Sequence, residues 1–442
     1  MAGPAARALA FARTLCADQH AVTLAAPQVK DLHDTGFRSC AYGGDPEALQ
    51  AAARSAQIVV LQGMTAFHHP FLLDPAKIIV VDLYDPSFLE NLAGFSDRAG
   101  REHDFDINLK VFQTQLLAGD YFVCANERQR DLWLGMLLTM GRINHLTCRE
   151  DPTLRRLIDV VPFGLPEQPP VATAHGLRGV HPGIKPGDKI VLWGGGMWPW
   201  LDPLLAIQAM ACLPADRQDI KLVFLSATLF GDALPQTDIV AQARSLSKQL
   251  GLSDERVIFN ERWVPYESRQ NYLLDANLGL VTHRLNLETY YSNRTRVLDY
   301  LWAGLPVVSV SGDWWSDVIE REGLGCVAAP DPAALAEAIL EVADTPRAQY
   351  SQRMRTVAER YTWHKTTQAL CSFCRNPAKA EDHDTAASRQ WHENLQASAM
   401  QREMELREAL AWHRLPLRTK ILRRARKDLA RLGIGSEPAR LV

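Results

Sequence analysis

Short apolar runs recur along this chain, each followed by a segment of helical pattern, and this alternation constrains the fold more than any other feature. HAVTLA (20–25), QIVVLQ (57–62), KIIVVDL (77–83) and YFVC (121–124) are interleaved with helix-like stretches at 4–16, 46–55 and 127–140. Runs of this length that are apolar on both faces suit strands covered on both sides. A helical crossover returns each strand to the same end, so such strands pair in parallel. Pro4 stands at the first position of the first helix, where a missing N–H costs nothing. Gly3-Pro4 opens that helix with no strand ahead of it. A Rossmann-like domain normally opens with a strand and a glycine turn, so the sequence is expected to start inside the domain.

The alternation breaks at 160–188, which holds six prolines and five glycines and cannot form a long regular element. It resumes with IVLW (190–193), a GGGMWPW loop, IKLVFLS (220–226), a short run at 257–259, NLGLVT (277–282) and VVSV (307–310). At 442 residues the chain exceeds the ~250–300 at which a single core stops growing. The expectation is an α/β protein of two Rossmann-like, doubly wound domains facing a cleft. The N-terminal domain is placed at 1–165, the linker at 166–187 and the second domain at 188–350. A helix crossing back follows at 351–376, and a helical extension at 377–442.

Composition narrows the function. A net charge of −3 implies no general attraction to nucleic acid. No apolar run reaches the ~18–20 residues of a membrane span, and the N-terminus lacks a signal-like apolar core, so a cytoplasmic chain is expected. Of eight cysteines only Cys371 and Cys374 have ligand-like spacing, and no second pair or suitably spaced histidines accompany them. No metal or cofactor is expected.

The stretch YYSNRTRVLDYLWAGLPVVSV (290–310) carries the most chemistry. A helix is expected from about Ser292, closed at Gly304. The first turn of a helix presents unpaired N–H groups and the positive end of its dipole, which suits phosphate. Arg294 and Arg296 add positive charge, and Asp299, about one turn on, is placed for vicinal hydroxyls. A nucleoside diphosphate fits that order of groups. A plain amphipathic helix with solvated arginines would show the same spacing.

RVLDYLWAGLPVV resembles the donor-binding element of retaining glycosyltransferases with the two-domain GT-B fold, glycosyltransferase family four in particular. That family shows E-x7-E followed by AMACGLPVV. The resemblance spans roughly residues 1–375 and is strongest over 188–330. It implies that Asp299, matching the second glutamate, contacts the donor ribose, and that Asn293, Arg294 and Thr295 lie at the diphosphate beside Ser292. The first glutamate falls on Tyr291, a departure, with Glu288 three residues earlier as the substitute. VLWGGGMWPWLDPLLAIQAM (191–210) resembles the glycine loop and helix of the donor domain, placing Gly195 and Gly196 at phosphate or sugar and Asp202 at a helix cap. The basic pair usual after this loop is missing, so charge would come from Arg284, Arg294 or Arg296. By the same resemblance Arg262, Trp263 and Val264 border the base, although Trp263 would suit the core equally.

On the acceptor side the resemblance leads to Gly3, Asp82, Tyr84, Asp85 and Glu90. Tyr84-Asp85 occupies the place of the family's histidine, and His69 is a candidate because a histidine from this domain faces the donor sugar in related enzymes. Asp85-Pro86 would serve equally as a helix start. The candidate catalytic set is Arg294, Glu288, Asp85 and His69. For the helix at 127–140 a core stripe of Leu132, Met136 and Met140 with solvated charges is expected. A polar, flexible stretch is expected after Ala378, and a basic amphipathic helix at 415–432 suited to an anionic membrane surface. The expected activity is retaining transfer of a sugar from a nucleotide-diphosphate donor to a glycan or lipid-linked acceptor. The resemblance implies a setting in bacterial surface polysaccharide or glycoconjugate assembly, and the basic stretch 415–432 adds the expectation of a peripheral position on the inner membrane face. A GT-B sugar-nucleotide epimerase and a non-catalytic nucleotide-binding subunit are the alternatives.

Overall fold

Nine of the strands described fall close to where apolar runs predict them; those at 38–41, 158–160 and 325–328 were not expected. The computed structural model describes residues 3–29, 36–43, 45–94, 101–226, 238–262 and 264–385. Strands β1 (Thr23–Ala26), β2 (Arg38–Ala41), β3 (Ile58–Gln62), β4 (Ile78–Asp82), β5 (Tyr121–Cys124) and β6 (Ile158–Val160) belong to the N-terminal half. Strands β7 (Lys189–Trp193), β8 (Ile220–Phe224), β9 (Val257–Phe259), β10 (Leu278–Val281), β11 (Val307–Val310) and β12 (Gly325–Ala328) belong to the second half. Every residue of β4, β5, β8, β10 and β11 is buried, as runs apolar on both faces require.

All pairings are parallel. The second sheet has the order β12-β11-β10-β7-β8-β9. Its strand order therefore reverses between β7 and β10, and a doubly wound sheet opens a ligand crevice at the strand ends there. In the N-terminal half β3-β4-β5-β6 form one sheet, while β1 and β2 pair apart from it. The first helix, Gly3–Ala17, packs on this sheet through Phe11 and Leu15, which join Val80, Tyr121, Val123 and Val161.

Residues after 345 return to the N-terminal half through helices Ala348–Arg360, Trp363–Thr366 and Gln368–Arg375. Trp363 meets Phe163 at 4.8 Å and Phe11 edge-on at 6.4 Å. Phe373 stacks on Tyr121 at 4.2 Å, and Cys371 and Cys374 are buried free thiols of helix Gln368–Arg375.

Three expectations need correction. The stretch after Ala378 is docked where it is described. Asp382, 2% exposed, accepts from Arg142 Nε at 2.9 Å and Nη2 at 3.0 Å. Asp120 accepts from the Ala380 amide at 3.1 Å, faces His383 at 3.1 Å and pairs with Lys379 at 3.3 Å. The buried stripe of helix Glu127–Thr139 is Gln129, Arg130, Trp133 and Leu137, because it packs against the sheet and the other half at once. Finally, the helix expected from Ser292 begins at Arg296, after a separate short helix, Leu287–Tyr291, capped by Asn286. The basic stretch 415–432 lies outside the described residues.

Candidate active site

The crevice at the β7/β10 reversal is framed by two loops. After β7 the chain runs through Gly194, Gly195 and Gly196, and Gly195 holds φ +84°, a left-handed conformation that a side chain resists. Asp202 caps helix Pro203–Cys212, as expected, accepting from the Leu205 amide at 3.3 Å. Across the crevice, helix Arg296–Ala303 is fixed to both strands by Tyr300. Its hydroxyl donates to the Leu192 carbonyl at 2.9 Å and accepts from the Gly194 amide at 2.8 Å. Gly304 closes this helix at φ +62°.

That anchoring puts Arg296, at the first position of its helix, against the glycine loop. Its Nη2 donates to the Gly196 carbonyl at 3.1 Å, and its guanidinium lies 4.9 Å from the centre of the Trp193 ring. Nη1 is buried with no hydrogen-bond partner among the described residues. Burial pulls this arginine down to about 10, and neighbouring Arg294 pushes the same way. No carboxylate neutralises it in an ion pair among the described residues.

Arg294 is committed elsewhere. Both its terminal nitrogens reach Glu288, each at 2.7 Å, and both residues are buried. Two residues expected to face the donor therefore face each other, because burying either charge alone would cost several kcal/mol. Asp299 is also engaged: it accepts from Arg269 Nε at 2.8 Å and remains 37% exposed. Arg269 lies between the rings of Tyr266 (3.7 Å) and Trp302 (4.6 Å), with Nη2 buried and without a hydrogen-bond partner among the described residues. Arg284 is 55% exposed and 3.8 Å from Asp202. Asn293 accepts from Trp315 Nε1 at 3.0 Å, Ser292 Oγ donates to the Thr289 carbonyl at 3.0 Å, and Thr295 caps the helix by its backbone alone. Arg262 is exposed, Val264 packs on the core, and Trp263 lies outside the described residues.

The N-terminal half supplies a second group. Beyond β4, Tyr84, Asp85 and Glu90 approach helix Leu287–Tyr291 through helix Ser87–Gly94. Gln129, fully buried, donates to the carbonyls of Tyr84 at 2.9 Å and Tyr291 at 2.8 Å and so ties the two halves here. Burial pushes Asp85 up to about 6, with help from Glu288 and Asp82 and opposition from Arg294. Burial, Asp85 and Glu288 hold Glu90 well above the carboxylate range. Asp85, Glu90 and Glu288 thus form one electrostatic group built from both halves. Carboxyls held above their usual range, as Asp85 and Glu90 are, suit acid–base chemistry at neutral pH.

Asp82 and His69 do not join that group. Asp82 is held by Arg7 Nε at 2.7 Å and Nη2 at 2.9 Å and by Gln62 at 3.1 Å, so its role is to fix the first helix to β4. Gly3 lies by Tyr84, whose hydroxyl would be 3.6 Å from an added Cβ, and Arg7 rests 5.0 Å from the Tyr84 ring centre. The ring neighbours of His69 are Tyr42, His68 and Phe71, all of the N-terminal half, and burial lowers its pKa. His283, absent from the expected set, lies two residues beyond β10 with Nε2 3.0 Å from the Ser311 carbonyl and Nδ1 buried without a partner among the described residues. Neither His283 nor Arg269 has a local sequence signal, because each is defined by partners about 30 residues away.

The sequence matches no protein-family model and no curated protein. Solved structures do match. WaaG, a glycosyltransferase involved in lipopolysaccharide biosynthesis, superposes with a TM-score of 0.55 at 16% identity, over 86% of this chain and 95% of its own. Sucrose-phosphate synthase from Thermosynechococcus elongatus gives 0.57 at 16% identity, over 83% and 91%. HepE from Anabaena, in complex with UDP, gives 0.54 at 12% identity, over 83% and 95%. The fold is therefore GT-B, with two Rossmann-like domains.

Proposed function

We propose that the protein is a glycosyltransferase that takes a sugar from a nucleoside-diphosphate donor. The observation that carries this reading is Arg296: a cation held against a glycine loop at the strand reversal, with no carboxylate partner and one buried N–H pair unused among the described residues. A diphosphate seated on Gly194–Gly196 would receive that guanidinium and the N-terminal amides of helix Arg296–Ala303 together. Asp299 keeps enough exposure to take ribose hydroxyls while Arg269 orients it. Leaving-group charge is stabilised by a cation already in place, the form of catalysis that needs no reorganisation during the reaction. Transfer with retention accords with that arrangement, since it relies on the leaving diphosphate and not on a protein nucleophile.

The acceptor enters from the N-terminal side, where Asp85 and Glu90 retain protons to higher pH than free carboxylates and can exchange one with an acceptor hydroxyl. A glycan or lipid-linked acceptor in surface glycoconjugate assembly suits this reading, as does attraction of 415–432 to anionic lipid. The likeness to WaaG, involved in lipopolysaccharide biosynthesis, and to HepE with its bound UDP supports the choice of substrate class. Incubation with UDP-, GDP- and ADP-sugars, following release of nucleoside diphosphate, tests the proposal. One donor should be turned over, with the anomeric configuration kept in the product. Release of free sugar with epimerisation would move the assignment to an epimerase. No turnover and no binding of any donor would refute nucleotide-sugar chemistry here.

A further inference from the structure

The connection from β7 to helix Pro203–Cys212 changes character halfway. Gly194–Gly196 let a ligand approach the backbone, and two large rings follow them. Trp198 and Trp200 lie nearly parallel, with ring centres 5.2 Å apart and planes 10° from each other. Trp200 is a packing residue: it is 5% exposed, and helix Ser87–Gly94 of the N-terminal half rests on it. A Cβ added at Gly94 would fall 2.4 Å from the Trp200 ring, so glycine there lets the helix backbone lie flush on the indole. Trp198 is different. It stays half-buried, and its Nε1 makes no hydrogen bond among the described residues, whereas a tryptophan that only fills a core finds a partner for that N–H.

The pair spans the interval between the two chemical groups of the site. A Cβ added at Gly196 would stand 3.3 Å from Trp198 Nε1, so this ring borders the loop whose Gly196 carbonyl accepts from Arg296. At the other end, Glu90 lies one turn before Gly94 and so shares the helix face that meets Trp200. Between a diphosphate on the glycine loop and a hydroxyl at Asp85 and Glu90 lies the group in transit, the sugar. The loop from Gly194 to Leu201 carries no charged side chain, and Arg284 is turned to Asp202 at 3.8 Å. What the loop offers there is an aromatic face. A pyranose ring has a face of C–H bonds, whose partial positive charge suits the negative face of an indole.

We propose that Trp198, backed by Trp200, is the platform on which the pyranose ring of the donor stacks. The inference rests on the proposed function and names the sugar subsite within it. One face of the Trp198 indole is taken by Trp200, which leaves the other for the sugar. Because Trp200 is itself held by Gly94, the platform is rigid before any sugar arrives, and stacking on it costs little further ordering.

Calorimetric titration of the full chain with UDP, GDP and ADP, beside UDP-glucose, UDP-galactose, GDP-mannose and ADP-glucose, tests this. Trp198→Leu keeps apolar cover on Trp200 but removes the aromatic face. The variant should bind the preferred free diphosphate within about twofold of wild type and its sugar ester about tenfold more weakly, the size of one aromatic contact and the area it covers. Trp198→Phe should recover most of that loss. In turnover, KM for the donor should rise while kcat holds, since stacking is shared by ground and transition states. Equal affinity of wild type and Trp198→Leu for the sugar ester overturns the proposal. So does an equal loss for ester and free diphosphate, which would make Trp198 a support of the glycine loop only. A wild type that binds neither diphosphate nor ester removes the proposed function and the platform with it, whereas nucleotide binding indifferent to Trp198 removes the platform alone.

Discussion

Replacing Asp85 by asparagine should stabilise the protein at neutral and alkaline pH and leave it unchanged in acid. Asp85 is raised from 3.8 to about 6 by burial and by its neighbours Glu288 and Asp82. Its side chain makes no hydrogen bond among the described residues, so the amide forfeits no partner there. A carboxyl with a raised folded-state pKa binds more protons in the native state than in the unfolded one, so stability falls as pH climbs through that window. The window here runs from about 4 to about 6. Roughly two pKa units at 1.36 kcal/mol each give a penalty of at most about 3 kcal/mol above pH 6. The uncharged amide escapes it. With unfolding entropy near 2.1 cal/mol/K per residue over most of the chain, that is about 4 °C in melting temperature. Thermal melts of wild type and D85N between pH 4 and 8 should therefore converge at the acid end and separate by a few degrees above pH 6. Parallel curves, or separation largest in acid, would refute the reasoning that Asp85 is strained by burial beside Glu288.

Other substitutions test the remaining structure. Glu288→Gln leaves Arg294 buried without its counter-charge and should cost about 3–5 kcal/mol in chemical denaturation, whereas a surface pair would cost under 1. Asp382→Ala should cost a similar amount by orphaning Arg142, and limited proteolysis should then cut at 376–385. Gly325→Ala should yield no soluble protein, because its Cβ would sit 1.9 Å from the Val307 carbonyl oxygen at φ +156°. Gly135→Ala is its control, at an exposed position of helix Glu127–Thr139 with nothing within 4 Å of the added Cβ, and should stabilise by roughly 0.5–1 kcal/mol.

Nine strands were legible because most are runs of β-branched or aromatic residues, the central ones buried on both faces, and a run like IVLW between helical segments has one plausible fate in a folded domain; β6 and β12, at Ile158–Val160 and Gly325–Ala328, carry no such run. Strand β2 was not legible either, since RSCA is neither apolar nor alternating, and its exposure shows that pairing with β1 alone holds it. Helix Arg101–Ala118 was missed for the same reason, having no clear apolar stripe. The polar stretch after Ala378 read as flexible because sequence does not reveal that Arg142 and Asp120 wait beneath it. At the site, the glycine loop, Asp202, Arg296 and Gly304 lie where their local chemistry placed them. Arg294 shows the limit: its charge was visible, but its neutralisation by Glu288 depends on a short helix that the polar string HRLNLETYYSN did not announce. The described residues contain no helix long and apolar enough to cross a membrane.

Arg296 is the residue on which the functional account turns, and calorimetric titration with UDP, GDP and ADP tests it most directly. Wild type should bind one of them, and Arg296→Gln should bind it at least tenfold more weakly, a charge-assisted contact being worth ~1.5–3 kcal/mol, with the melting temperature of the free protein held or raised. Equal affinity in wild type and variant, or no affinity for any diphosphate, would contradict the claim that this corner holds a nucleotide.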